Sequence, residues 1–192
     1  MTEAVLSLAG FVVLMVATPG PANLVAMVGG AQIGVRHSFG FILGLISGKI
    51  GLNVAFGLGF GLVLAQQPWL VMVLKFGSGA YMIWLALQSW NDRPKQGGVH
   101  NYTFRHGTIV HPLNPKAWVM VILAWSNFAP ALGNLLTQMV IVVTAFALCQ
   151  LVFHTAWCWA GQWLGHAMRN SLILTRSLII LTVLVVLWAV FS

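Results

Sequence analysis

Apolar residues run along the chain in stretches of membrane-spanning length, separated by short polar punctuation. A helix crossing the hydrocarbon core of a bilayer needs ~20 mostly apolar residues. On that measure the pattern predicts spans near 4–32, 39–63, 68–90, 108–129, 135–162 and 172–191. The expected fold class is an all-α integral membrane protein of about six transmembrane helices. The first apolar stretch, Ala4 to Val35, follows Glu3 instead of a basic segment and is too long for a cleaved leader, so it is read as a retained helix. The polar stretch from Asn91 to Gly107 divides the chain nearly into halves. It predicts one transporter domain over 1–192, with half-repeats of about 1–90 and 108–192 joined by a polar cytoplasmic loop, 91–107.

Composition agrees with that reading: 6% of residues are charged and 59% hydrophobic, against about a quarter charged in an ordinary soluble domain. Lipid must be the solvent. A net charge of +7 does not point to nucleic acid, because the basic residues are sparse and fall between apolar segments. Arg36 lies between the first two expected spans, Arg93, Lys95 and Arg105 between the third and fourth, and Arg169 and Arg176 between the fifth and sixth. The connections 65–68 and 129–134 contain no Lys or Arg. Positive loops stay cytoplasmic, which puts both termini outside. Trp69, Trp125 and Trp188 then fall near outer ends and Trp90, Trp157, Trp159 and Trp163 near inner ends, as interfacial indoles do. Cys149 and Cys158 are about 13 Å apart at helical rise, too far to form a disulfide.

Two of the spans are interrupted at corresponding places. Pro19-Gly20-Pro21 interrupts the first segment of the first half, and Asn114-Pro115 the first segment of the second; Pro21 and Pro115 stand 94 positions apart. Proline removes an amide donor and pushes away a carbonyl, and glycine leaves helical geometry at little cost. The freed backbone groups survive in lipid only if buried in protein or lining a wet cavity. A proline kink that merely shapes packing is the plain alternative. Matching breaks, one followed directly by Lys116, instead predict two inverted three-helix repeats whose first and fourth helices are broken around a midplane site. Pro19, Gly20, Pro21, Asn23, Asn114, Pro115 and Lys116 are its candidate substrate-binding residues, an amide end suiting a carboxylate and a carbonyl end an ammonium.

Lys49 is the other candidate. A lysine at mid-membrane depth costs ~3 kcal/mol on insertion scales, so Lys49 should face the interior, whereas Lys75 and Lys116 lie closer to an end and can snorkel. The only acids are Glu3 and Asp92, both near predicted ends, so a carboxylate proton relay is not expected. A coupling proton would fall to Lys49 or to His154, the histidine placed deepest in a span. His100, His106 and His111 read as solvated loop residues, and no metal site or cofactor is expected from this composition. Gly40, Gly44 and Gly48 recur at every fourth position, a small-residue stripe for helix packing that makes a homodimer an expectation.

Thr18-Pro19-Gly20-Pro21, Gly34, Arg36, Gly44 and Gly48 resemble the N-terminal signature of the LysE/RhtB amino-acid exporters. Leu74-Lys75 with Ala80-Tyr81 resembles that family's third-segment motif, and Gly107, Leu113, Asn114, Pro115, Lys116 and Ala117 are similar to its central motif. Order and spacing match across roughly residues 5 to 130. Ser38 and Ser78 stand where the family usually has glycine, and Lys49 near where some members carry a carboxylate. The resemblance implies a bacterial inner-membrane exporter of homoserine-, threonine-, cysteine- or leucine-like solutes, driven by proton motive force. A divalent-cation exporter of a related superfamily and a scaffold without transport are the competing readings. An intramembrane enzyme lacks the paired acids, Ser/His pair or metal ligands that one needs.

Overall fold

The computed structural model describes residues 1–61, 66–88, 90, 102–167 and 171–191. Arg93, Lys95, His100 and Arg169, and most of the polar loop expected over 91–107, lie outside the described residues. Those described hold no strand. Their α-helices are α1 Thr2–Ala17, α2 Pro21–Gly57, α3 Pro68–Leu87, α4 Phe104–Val110, α5 Pro115–Leu123, α6 Leu135–Ala167 and α7 Leu172–Phe191. After α5 the chain widens into a π-helical turn, Ala124–Phe128, and tightens into a 3₁₀ turn, Ala129–Leu132.

Prolines set where the helices restart. Pro21 and Pro115 each occupy the first helical position of α2 and α5, where an absent amide is harmless and φ is already suited to a helix. The stretch expected as a first span is therefore two helices, α1 and the start of α2, and the one expected over 108–129 is divided between α4 and α5. The loop expected around Arg36 is reduced to one non-helical residue within α2, Gly34, at φ 77° and ψ 165°. That φ suits only glycine well. The amide freed beyond it is taken by α6, for Val35 N donates to Gln162 Oε1 at 2.7 Å. With that partner in place, no polar linker is needed between the two halves of the helix.

The first half of α2 is the centre of the molecule: every residue from Pro21 to Ile33 except Met27 is buried. It lies so close to α6 that a Cβ on Gly30 would overlap the Cys158 carbonyl, and one on Gly161 would overlap the Met27 carbonyl. The second half rests on α4 in the same way, Gly44 against Gly107 and the Phe104 carbonyl, and Gly48 against the Thr108 carbonyl. Gly40, third of that stripe, is exposed with open space around it. α1 packs on α6 and the π-helical turn, and α7 on α2 and α3.

Outward-facing surfaces are apolar. Leu14, Val152, Trp159, Leu184 and Trp188 are each more than half exposed, an arrangement that water would penalise and hydrocarbon does not. Among the described residues α2, α6 and α7 are long and apolar enough to cross a membrane. The protein is a membrane protein, all-α in its described residues.

Candidate functional site

At the first break α1 stops at Ala17 and α2 begins at Pro21, so the carbonyls near the end of α1 lose their helical donors. Each finds another. Thr18 N and Oγ1 donate to Leu14 O and Met15 O at 3.3 and 3.1 Å. Asn23 Nδ2 donates to Val16 O at 2.8 Å and Thr18 O at 2.9 Å. From α6, Trp157 Nε1 reaches Ala17 O at 3.1 Å. Lys116 Nζ, from the other break, donates to Thr18 O, Thr18 Oγ1 and Pro19 O at 3.1, 2.8 and 3.2 Å. Gly20 O takes Leu24 N, so every carbonyl from Leu14 to Gly20 is paired. Gly20 lets Lys116 lie this close, since a Cβ there would meet the lysine side chain at 2.9 Å.

The second break spans 111–114 between α4 and α5. Asn114 is the N-cap of α5, its side chain accepting from Lys116 N at 3.0 Å, which turns the lysine back toward the first break. Trp118 Nε1 donates to Pro112 O at 2.8 Å, and Asn114 N to His111 O at 3.0 Å. Lys49, fully buried on α2, donates to Ala117 O at 3.0 Å and lies 4.3 Å from the centroid of the Phe146 ring. Lys116 thus reaches the first break from α5, and Lys49 reaches the first turn of α5 from α2. Glu3, the one described acid, sits in the first turn of α1, the end away from the break.

Between the breaks runs a line of buried polar side chains. Asn23 Oδ1 faces His154 Nδ1 at 2.7 Å, His154 Nε2 faces His111 Nε2 at 3.3 Å, and the Gln150 amide lies 3.2 Å from that same His111 nitrogen. His111 Nδ1 and Gln150 Oε1 are buried without a partner. These groups surround a cavity of about 20 Å³ lined by Gly20, Asn23, His111, Asn114, Lys116, Gln150 and His154, with Met15, Val16, Ala22 and Met120. Such a volume holds about one water.

Of the residues singled out from sequence, Gly20, Asn23, Asn114, Lys116 and His154 meet at this cavity. Pro19, Pro21 and Pro115 shape the two backbones around it, and Lys49 lies outside its lining. The reading of His111 as a solvated loop residue is corrected: it is 1% exposed, because the break turns it inward against α6. Gln150 had no signal in the sequence beyond being a polar residue in an apolar helix, and Trp157, expected as an interfacial indole, is half-buried with its Nε1 on Ala17 O.

The family model for the LysE type translocator matches residues 13–191. Among similar proteins are an uncharacterized membrane protein of Vibrio cholerae, 28% identical over 82% of this chain and 80% of its own, and a homoserine/homoserine lactone efflux protein of Salmonella typhimurium, 24% identical over 78% of this chain and 76% of its own. A cysteine/O-acetylserine efflux protein of Escherichia coli is 27% identical over 80% of each chain. No solved structure matches. With its paired breaks, crossing lysines and a family match over most of its length, this chain belongs to the LysE type translocator family.

Proposed function

We propose that this protein exports a small amino-acid-like solute through the cavity between its two helix breaks. The observation that carries the reading is the Lys116 ammonium resting in the carbonyl cradle of the first break, beside a cavity lined from both breaks. Those carbonyls already hold a primary ammonium, so they suit the ammonium of a solute that displaces it. The displaced Lys116 becomes the partner of the solute carboxylate. Gly20, at the N-cap of α2, brings no side chain to the opening amides of that helix, which adds a second place for a carboxylate. Among the described residues the site lining contains the Lys116 ammonium and no acid, so the solute supplies the negative charge. Export by relatives named for homoserine and for cysteine or O-acetylserine efflux supports this substrate class.

The wider arrangement belongs to the same proposal. The chain forms one transporter domain of six spans as two inverted repeats, 1–90 and 108–192, in a bacterial inner membrane. Arg36, Arg93–Arg105 and Arg169–Arg176 face the cytoplasm, both termini lie outside, and protons drive efflux. Lys49 holds α5 against α2 at the edge of the site, and a second copy of the chain packs as a homodimer on a face other than Gly44 and Gly48, which α4 covers.

The test is loss of label from preloaded proteoliposomes, using homoserine, threonine, cysteine, O-acetylserine and leucine. Faster loss of at least one with the protein than without it is expected, falling at least about tenfold in Lys116→Ala. Loss equal to that of empty liposomes for every solute overturns the proposal.

A further inference from the structure

The ring nitrogens of His111 and His154 differ in what they touch, and the difference fixes where a proton can enter. Both amide hydrogens of Asn23 are committed to Val16 O and Thr18 O, so its Oδ1 must accept, and His154 Nδ1 must carry a hydrogen. If both rings are neutral, His154 Nε2 is then a lone pair. The facing His111 Nε2, 3.3 Å away, is then the donor, since two lone pairs do not bond, and the Gln150 amide, whose Nε2 stands 3.2 Å from that nitrogen, turns its oxygen toward the hydrogen. His111 Nδ1 is therefore a lone pair as well. It is also the one ring nitrogen of the four that is buried without a partner, on a residue that lines the cavity.

We propose that this lone pair is the point at which solute and proton compete: His111 Nδ1 accepts a hydrogen bond from the solute ammonium, and takes the coupling proton when the solute leaves. This rests on the export reading above and adds to it the residue that exchanges one ligand for the other. On protonation an N–H bond forms at His111 Nδ1. The hydrogen on His111 Nε2 either stays or moves across to His154 Nε2, and in both cases the pair holds three hydrogens where it held two. The atom that was an acceptor has become a donor. A solute ammonium, which has only donors, loses its partner and leaves with its own hydrogens intact. Gln150 follows by turning its amide, whose oxygen suits the neutral pair and whose NH₂ suits a His111 Nε2 stripped of its hydrogen.

The cations around the pair repel a proton and a solute ammonium alike, so the site does not hold both positive charges at once. The field of Lys49 of α2 reaches both rings and that of Lys116 of α5 reaches His154, α6 contributes His154 itself, and α1 contributes only Met15 and Val16 to the lining. Among the described residues no acid stands by to hold both a proton and a solute ammonium at once. Because a zwitterion leaves as one proton enters, one positive charge moves inward for each solute exported. Acid outside the cell drives release on that side.

The experiment reads protons and solute together. Proteoliposomes carrying an internal pH dye are preloaded with a labelled amino acid that the wild-type protein moves, or with its 2-hydroxy acid counterpart, and efflux is started by acidifying the outside. The wild type is expected to move about one proton per amino acid. In His111→Asn, whose Oδ1 can accept but not titrate, the remaining efflux is expected to carry at least tenfold fewer protons per solute. An unchanged proton-to-solute ratio in the variant overturns the proposal. The second measurement does not depend on transport: ¹⁵N-histidine spectra of the wild-type protein in nanodiscs, with His111 assigned by its loss in the variant. His111 Nδ1 is expected to be unprotonated at neutral pH, to gain a proton on acidification, and to do so less readily with the amino acid present but not with the hydroxy acid. A hydrogen on Nδ1 at neutral pH, or titration indifferent to the amino acid, overturns it. Wild-type liposomes that move no amino acid count against the export reading instead, and leave the spectra to decide the exchange site.

Discussion

Trp157 shows how a break in a membrane helix is made tolerable. Its indole hydrogen is the partner of Ala17 O, one of the carbonyls released where α1 stops, and in lipid no water replaces it. Trp157→Phe keeps the ring and removes the donor, and leaving a buried acceptor unpaired costs about 1–3 kcal/mol. The expected outcome is a lower thermal-aggregation midpoint in detergent, with the membrane-inserted fold retained; an unchanged midpoint would mean that the carbonyl has another donor. Pro19, Gly20, Pro21, Asn114 and Lys116 were legible in the sequence because each disrupts or caps a helix by its own covalent chemistry. His111, Gln150 and Trp157 were not. Their roles arise from partners 39 to 140 positions away, which hydropathy does not see.

Helix pairs in lipid gain nothing from hydrophobic burial and depend on close packing, which here means glycines set against carbonyls. Gly30 and Gly161 serve the contact of α2 with α6 from opposite sides, and Gly44 and Gly48 that of α2 with α4. A methyl group at Gly30 or Gly161 forces the two backbones apart, and overpacking of this kind costs about 1–3 kcal/mol or more. Gly30→Ala and Gly161→Ala are each expected to lower the yield of monodisperse protein on fluorescence-detected size exclusion. Gly40→Ala, with open space around it, is expected to leave that yield unchanged. Equal behaviour of all three would remove the close crossing from the account. Periodicity alone marked the stripe at Gly40, Gly44 and Gly48 but could not tell its ends apart, and it passed over Gly30 and Gly161, whose partners lie on a helix more than a hundred residues away.

Composition alone identified the solvent, since a chain with 6% charged and 59% hydrophobic residues has nowhere to fold but lipid, and the exposed leucine and tryptophan on its long helices agree. The count of apolar stretches was less informative about helix ends. A break without a polar linker, as at Gly34, and a linker without a break have similar hydropathy, and the difference lies in whether a side chain such as Gln162 is at hand to take the freed amide. Around that frame the two breaks are drawn together by Lys116 and by the Asn23–His154–His111 line, and the central claim is that the solute passes between them. Thr18 is exposed beside the Lys116 ammonium, so a thiol there reports on occupancy of the cradle. With Cys149 and Cys158 replaced by serine, Thr18→Cys in proteoliposomes is to be labelled by a small maleimide with and without a transported amino acid. The account predicts at least a fewfold slower labelling when the amino acid is present and no protection by its 2-hydroxy acid counterpart at the same concentration; labelling unaffected by an amino acid that this variant still transports would contradict it.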